Sequence, residues 1–271
     1  MVRDWIDSDG KRILMGLACP LDWSHINSTT HISLLGMLKP DLIYLDSGNS
    51  GDIAEKREGQ CETAMKMGCT HVFMADGDMV YPPTILVDMF EEINNGADMV
   101  GGLCYRGAPP YDPLIWHPTE ERKLVPFRDY QFGDVVDAGA TGAACLLVKK
   151  NVFEKMEQPW FRIQREEITN RWRPWKKKVI TILRRGEDTY FTRNATKAGF
   201  KLKVVTKEDI GHMREFQVDR HFWLIFGIIN ALGRWEVIAE LYKKLQDPEW
   251  VRREFGSSPI TKKQEVKEGG S

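Results

Sequence analysis

The strongest constraint this sequence places on its fold is an alternation. Short apolar runs of strand length at 12–18, 41–45, 70–75, 98–103 and 202–205 are separated by segments of helical character. The helical segments are predicted at 28–38, 53–67, 84–95 and 187–198. Gly68, Gly96 and Gly199 stop three of them, where a chain leaving a helix favours a residue without a Cβ. Pro82 and Pro83 open another. Further strands are expected at 135–136 and 143–148, and a helix over 151–157 with Asn151 as its N-cap. Such an alternation predicts an α/β fold with a mainly parallel central sheet and helices on both faces. Ligands of these sheets sit outside the carboxyl ends of the strands, so the residues just past each apolar run are where chemistry is expected.

The chain has 271 residues, 42% of them hydrophobic, which is ample for a sizeable core. No repeat or clear linker divides residues 1–213, which read as one domain. Residues 214–255 read as a mostly helical C-terminal extension, and 256–271 as a charged, disordered tail. The formal net charge of -1 excludes polyanion binding by bulk charge, so any basic surface must be local. Cys19, Cys61, Cys69, Cys104 and Cys145 form no C-x-x-C pair and are odd in number. They read as reduced core thiols of a cytoplasmic protein, not as a disulfide or zinc framework. The first ten residues lack the apolar stretch of a secretory signal. The longest apolar run, 222–232, is too short to span a bilayer, so the protein is expected to be soluble or at most peripheral.

Asp76-Gly77-Asp78 follows an apolar strand directly. Two carboxylates one residue apart can approach one hard cation together, and Mg²⁺ and Mn²⁺ prefer oxygen ligands. Gly77 would let the backbone come close to a ligand. The plainer alternative is a polar turn carrying two solvated aspartates. A second acidic pair, Glu187-Asp188, opens a predicted helix; it either complements the helix dipole or supplies a general base for an incoming hydroxyl. His212 ends the last strand–loop and could complete a metal site, although a lone histidine is more often structural. Arg57 and Arg106 follow the second and fourth strands, where a guanidinium could fork onto a phosphate or simply face solvent. Pro20, at the end of the first strand, joins this donor-side set. The segment 139–142 carries Gly139, Thr141 and Gly142, which could pack against an acceptor or form only a tight turn.

Residues 162–185 hold nine Lys or Arg and two Glu, with Trp172 and Trp175 among them. Basic residues interleaved with aromatics suit phosphate contact and base stacking, or an anionic lipid surface; the alternative is a solvated loop. The apolar stretch around 222–229 suits core packing or a dimer contact, and less directly peripheral membrane docking.

In order, the pieces resemble the small single-domain GT-A nucleotide-sugar glycosyltransferases of bacteria, archaea and phages. The likeness is carried by MKMGCTHVFMADGDMVYPPTIL (65–86), ADMVGGLCYRGAPP (97–110), GATGAACLLVKKNVFEKMEQPWF (139–161), GEDTYFTRNATKAGFKLKV (186–204) and DIGHM (209–213). The resemblance implies a Rossmann-like GT-A catalytic domain over 1–213 with the basic insert at 162–185. It implies transfer of a sugar from a UDP- or GDP-sugar to a hydroxyl acceptor, with Mn²⁺ or Mg²⁺ as cofactor. Asp76 and Asp78 would contact the ribose and the metal, with His212 a further ligand. Asp188, with Glu187 beside it, would serve the acceptor as base in an inverting enzyme or as a positioning group in a retaining one. Arg57 stands where the family often has Ala-Arg-Asn, but Glu58 replaces the Asn. The acceptor could be a glycan, a lipid carrier, a small molecule or a hydroxymethylated DNA base, the last favoured by the basic insert of a phage-type DNA-modifying enzyme. Two other readings stand beside it: a nucleotidyltransferase, for which the stretch 19–24 lacks a basic phosphate loop, and a non-catalytic nucleotide- or glycan-binding module.

Overall fold

A computed structural model describes residues 5–7, 10–20, 26–46, 51–106, 113–118, 124–169, 179–208 and 210–213. The expected C-terminal extension, the tail, Trp172 and Trp175 lie outside the described residues. In chain order the elements begin β1 (Leu14–Ala18), α1 (Ser28–Gly36), β2 (Asp41–Leu45), α2 (Ile53–Lys66), β3 (His71–Ala75), β4 (Met79–Val80), α3 (Ile85–Asn94) and β5 (Met99–Gly102). They continue with β6 (Ile115–Pro118), β7 (Leu124–Pro126), β8 (Val135–Asp137), β9 (Ala140–Thr141), β10 (Cys145–Lys149) and α4 (Lys150–Lys155). Last come β11 (Gln164–Thr169), β12 (Val179–Arg185), α5 (Glu187–Lys197), β13 (Leu202–Val205) and β14 (Gly211–His212).

The central sheet has seven strands in the order β2-β1-β3-β10-β5-β13-β8. Five run one way; β10 and β8 run against them, as their antiparallel ladders show. The expected α/β architecture is therefore present, with β10 inserted between β3 and β5 as an antiparallel centre strand. Side chains alternate across the sheet because successive Cβ atoms point to opposite faces. Met15, Leu17, Phe73, Cys145 and Leu147 face one side and pack with Leu34 of α1 and Ile85, Leu86, Met89 and Phe90 of α3. Ala18, Val72, Met74, Leu146 and Val148 face the other and pack with Ala54, Cys61 and Ala64 of α2, Phe153 of α4 and Phe191 of α5. All five cysteines are buried and none is in a disulfide.

Two local details differ from the sequence expectation. Helix α4 starts at Lys150 with Lys149 at its cap, and no side chain caps it. Strand β10 runs straight into this helix, and neighbouring loops satisfy its first amides: Lys149 N–H donates to Asp98 O at 3.0 Å and Lys150 N–H to Thr70 O at 2.9 Å. With those donors met, Asn151 is left inside the first turn and does not cap. The described ends of the basic insert pair as an antiparallel ribbon, β11 with β12, where the sequence suggested a loop. Among the described residues no helix is long and apolar enough to cross a membrane.

Candidate active site

Asp76, Gly77 and Asp78 leave the carboxyl end of the wholly buried strand β3. Each of their carbonyls is held by a different residue: Tyr81 just along the chain, and Asn27 and Met213 from distant segments. Tyr81 Oη shares its proton between Asp76 O at 2.9 Å and Ala144 O at 2.7 Å. Burial raises the Tyr81 pKa well above the ordinary phenol value, so the hydroxyl stays a donor. The N–H of Asn27, the N-cap of α1, donates to Gly77 O at 2.9 Å, and Met213 N–H donates to Asp78 O at 2.7 Å. The turn is therefore a fixed platform and not a solvated loop.

The bond from Met213 belongs to a short antiparallel pairing of β14 with β4, in which His212 lies opposite Met79. This brings the imidazole to Asp78 across 134 residues of sequence. His212 Nδ1 lies 2.9 Å from the Tyr105 carbonyl, which can only accept, so Nδ1 carries the proton. Nε2 then points at Asp78 Oδ2 from 3.1 Å. Two lone pairs at that distance repel unless a proton or a cation lies between them. Adjacent ligands of an octahedral Mg²⁺ or Mn²⁺ are separated by about 3.0 Å, so the pair fits such an ion. Arg106, expected on the donor side, is exposed and directly follows Tyr105.

Asp76 has a different partner. Its Oδ1 meets Nη2 of Arg57 at 2.7 Å. Arg57 is only 2% exposed, and its remaining donors point to Glu187 Oε1 at 3.2 Å and Ala143 O at 3.3 Å. Burial alone would lower the pKa of this guanidinium, but the charges of Asp76, Glu187 and Asp188 outweigh it and the net direction is up. Arg57, expected to grip a phosphate, has its fork facing inward, onto the buried Glu187 of α5 and the partly buried Asp76 after β3, both of which demand a counter-charge. Of the expected ligand trio, Asp78 and His212 meet while Asp76 is turned to Arg57, and among the described residues no group of three His, Cys, Asp or Glu side chains converges on a metal position.

Glu187 is likewise a partner of Arg57 and is buried. Burial, and then the neighbouring Asp188, push its carboxyl above the usual range, while Arg57 pulls it back. Enclosed in this way, Glu187, expected beside Asp188 on the catalytic side, braces Arg57. Asp188 is differently placed. A Cβ on Gly142 would lie 3.4 Å from its Oδ2 and 3.2 Å from Leu114 Cδ1, so Gly142 is the floor beneath this carboxylate.

Thr141 is 2% exposed. It is tied down by Oγ1–H donating to Leu114 O at 2.7 Å, N–H donating to Thr192 Oγ1 at 3.2 Å, and its carbonyl accepting from Thr192 Oγ1 at 2.9 Å. Thr141, expected on the acceptor side, is thus held in β9 beneath α5, which packs over it. Gly139 is separated from Asp188 and lines a groove of about 650 Å³ with Arg193 and Lys197 from the far end of α5. Pro20 is buried at the end of β1. Glu58, unexpected after Arg57, accepts from Trp160 N–H at 3.1 Å and Phe161 N–H at 2.9 Å, so it anchors the loop after α4. Tyr81 and Asn27 escaped sequence reasoning. Only the spacing of Tyr81 from the aspartates hinted at one of them.

No family model matches the sequence, and no curated protein matches it either. Among solved structures the chain is similar to A197 from STIV, with 16% identity and a TM-score of 0.48 over 75% of this chain and 86% of that one. It is also similar to GalNAc-T7, solved with UDP, GalNAc and Mn²⁺, with 13% identity and a TM-score of 0.46. That match covers 75% of this chain and 44% of GalNAc-T7, so the chain spans less than half of that protein.

Proposed function

We propose that this protein transfers a sugar from a nucleotide-sugar donor to a hydroxyl acceptor with the help of a divalent metal. The observation that carries the reading is the Asp78–His212 pair. A turn clamped at three carbonyls presents a carboxylate, and a separate strand brings an imidazole of fixed tautomer to it at 3.1 Å, outside the carboxyl end of β3. An imidazolium in the same place would make a plain ion pair with Asp78, whereas Mn²⁺ or Mg²⁺ would take both the carboxylate oxygen and the Nε2 lone pair as ligands. The metal, when bound, supplies positive charge to the departing diphosphate.

The chain's own residues divide the remaining work. Asp78 and His212 hold the metal, while Asp76, fixed by Arg57, keeps a rigid acidic edge on the donor side. Asp188, above Gly142, accepts a hydrogen bond from the acceptor hydroxyl and, in an inverting reaction, its proton. The bond from the sugar anomeric carbon to phosphate breaks with its electron pair on the nucleoside diphosphate, and the acceptor oxygen bonds to that carbon.

The test is a screen of UDP- and GDP-sugars with Mn²⁺ or Mg²⁺, reading nucleoside diphosphate release with glycan, lipid-linked and hydroxymethylated-DNA acceptors. Metal-dependent release is expected, and Asp78→Ala should lower it by about 10²-fold or more while the protein remains folded. Release that survives chelation, or an Asp78→Ala protein as active as the parent, would overturn the assignment.

A further inference from the structure

A groove lies at the far end of the helix that carries Asp188. Helix α5 rests on residues 139–142 in a fixed register. Asp188 stands beside Gly142, Thr192 Oγ1 accepts from the N–H of Thr141 and donates to its carbonyl, and Thr196 Oγ1–H donates to Gly139 O at 2.8 Å. From Asp188 to Thr196 the helix rises about 12 Å, and from Gly142 to Gly139 the extended chain covers about 10 Å, so the two walls of this track agree in length. At its far end opens the groove of about 650 Å³. Thr189, Arg193 and Lys197 recur every four residues and so form one row along α5. The row starts where Thr189 Oγ1 lies 3.1 Å from Asp188 Oδ1 and ends in the groove wall, which Arg193 and Lys197 line. The lining also includes Leu124, Ala138, Asp137 and His117, whose ring centroid is 4.2 Å from that of Phe127. His117 Nε2 is buried without a hydrogen-bond partner among the described residues, an unmet group of the kind that a bound molecule or water completes.

We propose that this groove binds a small organic anion, a sugar-sized molecule bearing a phosphate, sulfate or carboxylate group, and that this molecule is the remote end of the acceptor. Its place in the acceptor rests on the proposed sugar transfer; the anion binding does not. The volume is that of a small-molecule site and exceeds what a bare ion needs. Leu124, Ala138 and the His117 ring offer the body of the ligand an apolar surface. Among the described lining residues two cations stand against one carboxylate, and a guanidinium forks onto phosphate or carboxylate oxygens. Both cations already take part in other interactions, so the anion binds by exchange of partners. The other end of the track is acidic, with Glu187 and Asp188 opening α5. An acceptor that is neutral at its reacting hydroxyl and anionic about 10–12 Å away is oriented by this contrast, because the reversed molecule would bring its charge against the carboxylates.

Titration calorimetry on the full chain, with neither donor nor metal present, tests the groove by itself. Glucose 6-phosphate, glucose 6-sulfate and glucuronate are compared with glucose and with inorganic phosphate. At least one sugar anion should bind about tenfold or more tighter than both glucose and phosphate, and should weaken as salt rises. The preferred one tells which anionic group the site takes. Two variants place the site: Arg193→Gln with Lys197→Gln removes the charges, and Ala138→Phe fills the groove while keeping them. Each should abolish the preference, with urea melts showing that the fold is retained; if the double variant does not fold, Ala138→Phe decides alone. No binding, glucose bound as tightly as the anions, phosphate bound as tightly as its sugar ester, or a preference that survives the variants would each overturn the inference. Failure of sugar transfer would show separately, as no nucleoside diphosphate release with any acceptor. Where transfer occurs, an acceptor bearing the preferred group should have a KM about tenfold lower in the parent than in the double variant, with kcat little changed. Equal KM values would remove the groove from the acceptor track.

Discussion

Replacing Arg57 with alanine separates the two ways this side chain could matter. As a surface phosphate ligand it would be lost at little cost to the fold. As the counter-charge of a buried cluster it would leave Asp76 and Glu187 facing each other with nothing between them. The Glu187 side chain is only 10% exposed and cannot rehydrate, whereas Asp76 at 30% can do so in part. Breaking a buried ion pair from one side costs about 3–5 kcal/mol, and the partial recovery at Asp76 places Arg57→Ala near 4, on the order of a few kcal/mol. With a urea slope of about 3 kcal/mol/M, that loss lowers the unfolding midpoint by roughly 1.3 M. Adding Glu187→Gln should restore about 1–2 kcal/mol, because the variants share one network.

The pH dependence carries a sign that checks the same cluster. Glu187 has its folded pKa raised above the unfolded value, so it binds its proton more tightly in the native state. Its contribution is fully present below the ordinary carboxylate range and is lost as pH rises through the raised value. Without Arg57, which pulls that carboxyl down, the loss should be steeper, and the deficit of Arg57→Ala should shrink in acid. Urea melts of parent, single and double variants across pH 4–8 measure all of this. A deficit below about 1 kcal/mol, or no recovery on adding Glu187→Gln, would refute the account of a desolvated cluster.

Three further outcomes follow from the same structure. Tyr81→Phe removes the donor shared by Asp76 O and Ala144 O; it should cost about 1–3 kcal/mol in urea melts and lower nucleoside diphosphate release without abolishing metal binding. Gly142→Ala puts a Cβ against Leu114 and beneath Asp188, so its turnover should fall while Mn²⁺ binding, read by paramagnetic resonance, is retained. Burial, and then the charge of Lys149, lower the His71 pKa from 6.5 to about 4, so this histidine is neutral in the native state. Its stabilisation is complete above pH 6.5 and disappears as pH falls towards 4, and His71→Gln should flatten that stretch of the stability–pH curve.

Elements whose residues repeat with a clear period were legible in advance, and those defined by long-range partners were not. Strands β2 and β13 have the bounds that their apolar runs suggested, and Gly68 and Gly199, with φ of 75° and 97°, leave α2 and α5 in the left-handed region that favours glycine. The reversed direction of β10 had no local signature, because CLLVK reads alike in either orientation when both faces are buried. The two-residue strands β4 and β14 are too short for periodicity, yet they bring His212 to Asp78. The partners of Arg57 were hidden for a related reason. A guanidinium on a helix full of charged residues suggests a solvent face, and its partners lie 19 and 130 residues away. Nothing within α2 could announce them.

The charge arrangement explains why a site of this kind calls for a cation. Asp76, Glu187 and Asp188 surround one committed guanidinium and all three are electrostatically coupled to it, with Asp78 two residues along the turn from Asp76. Four carboxylates against one guanidinium leave this part of the site with an excess of acidic groups. A diphosphate approaching that surface is repelled, and Arg57 cannot turn outward to meet it without abandoning two carboxylates behind it. On the proposed reading, the cation that offsets this field comes from solution and is held by Asp78 and by the His212 imidazole 3.1 Å from it. The buried arginine would then leave phosphate contact to the metal and keep the acidic edge rigid.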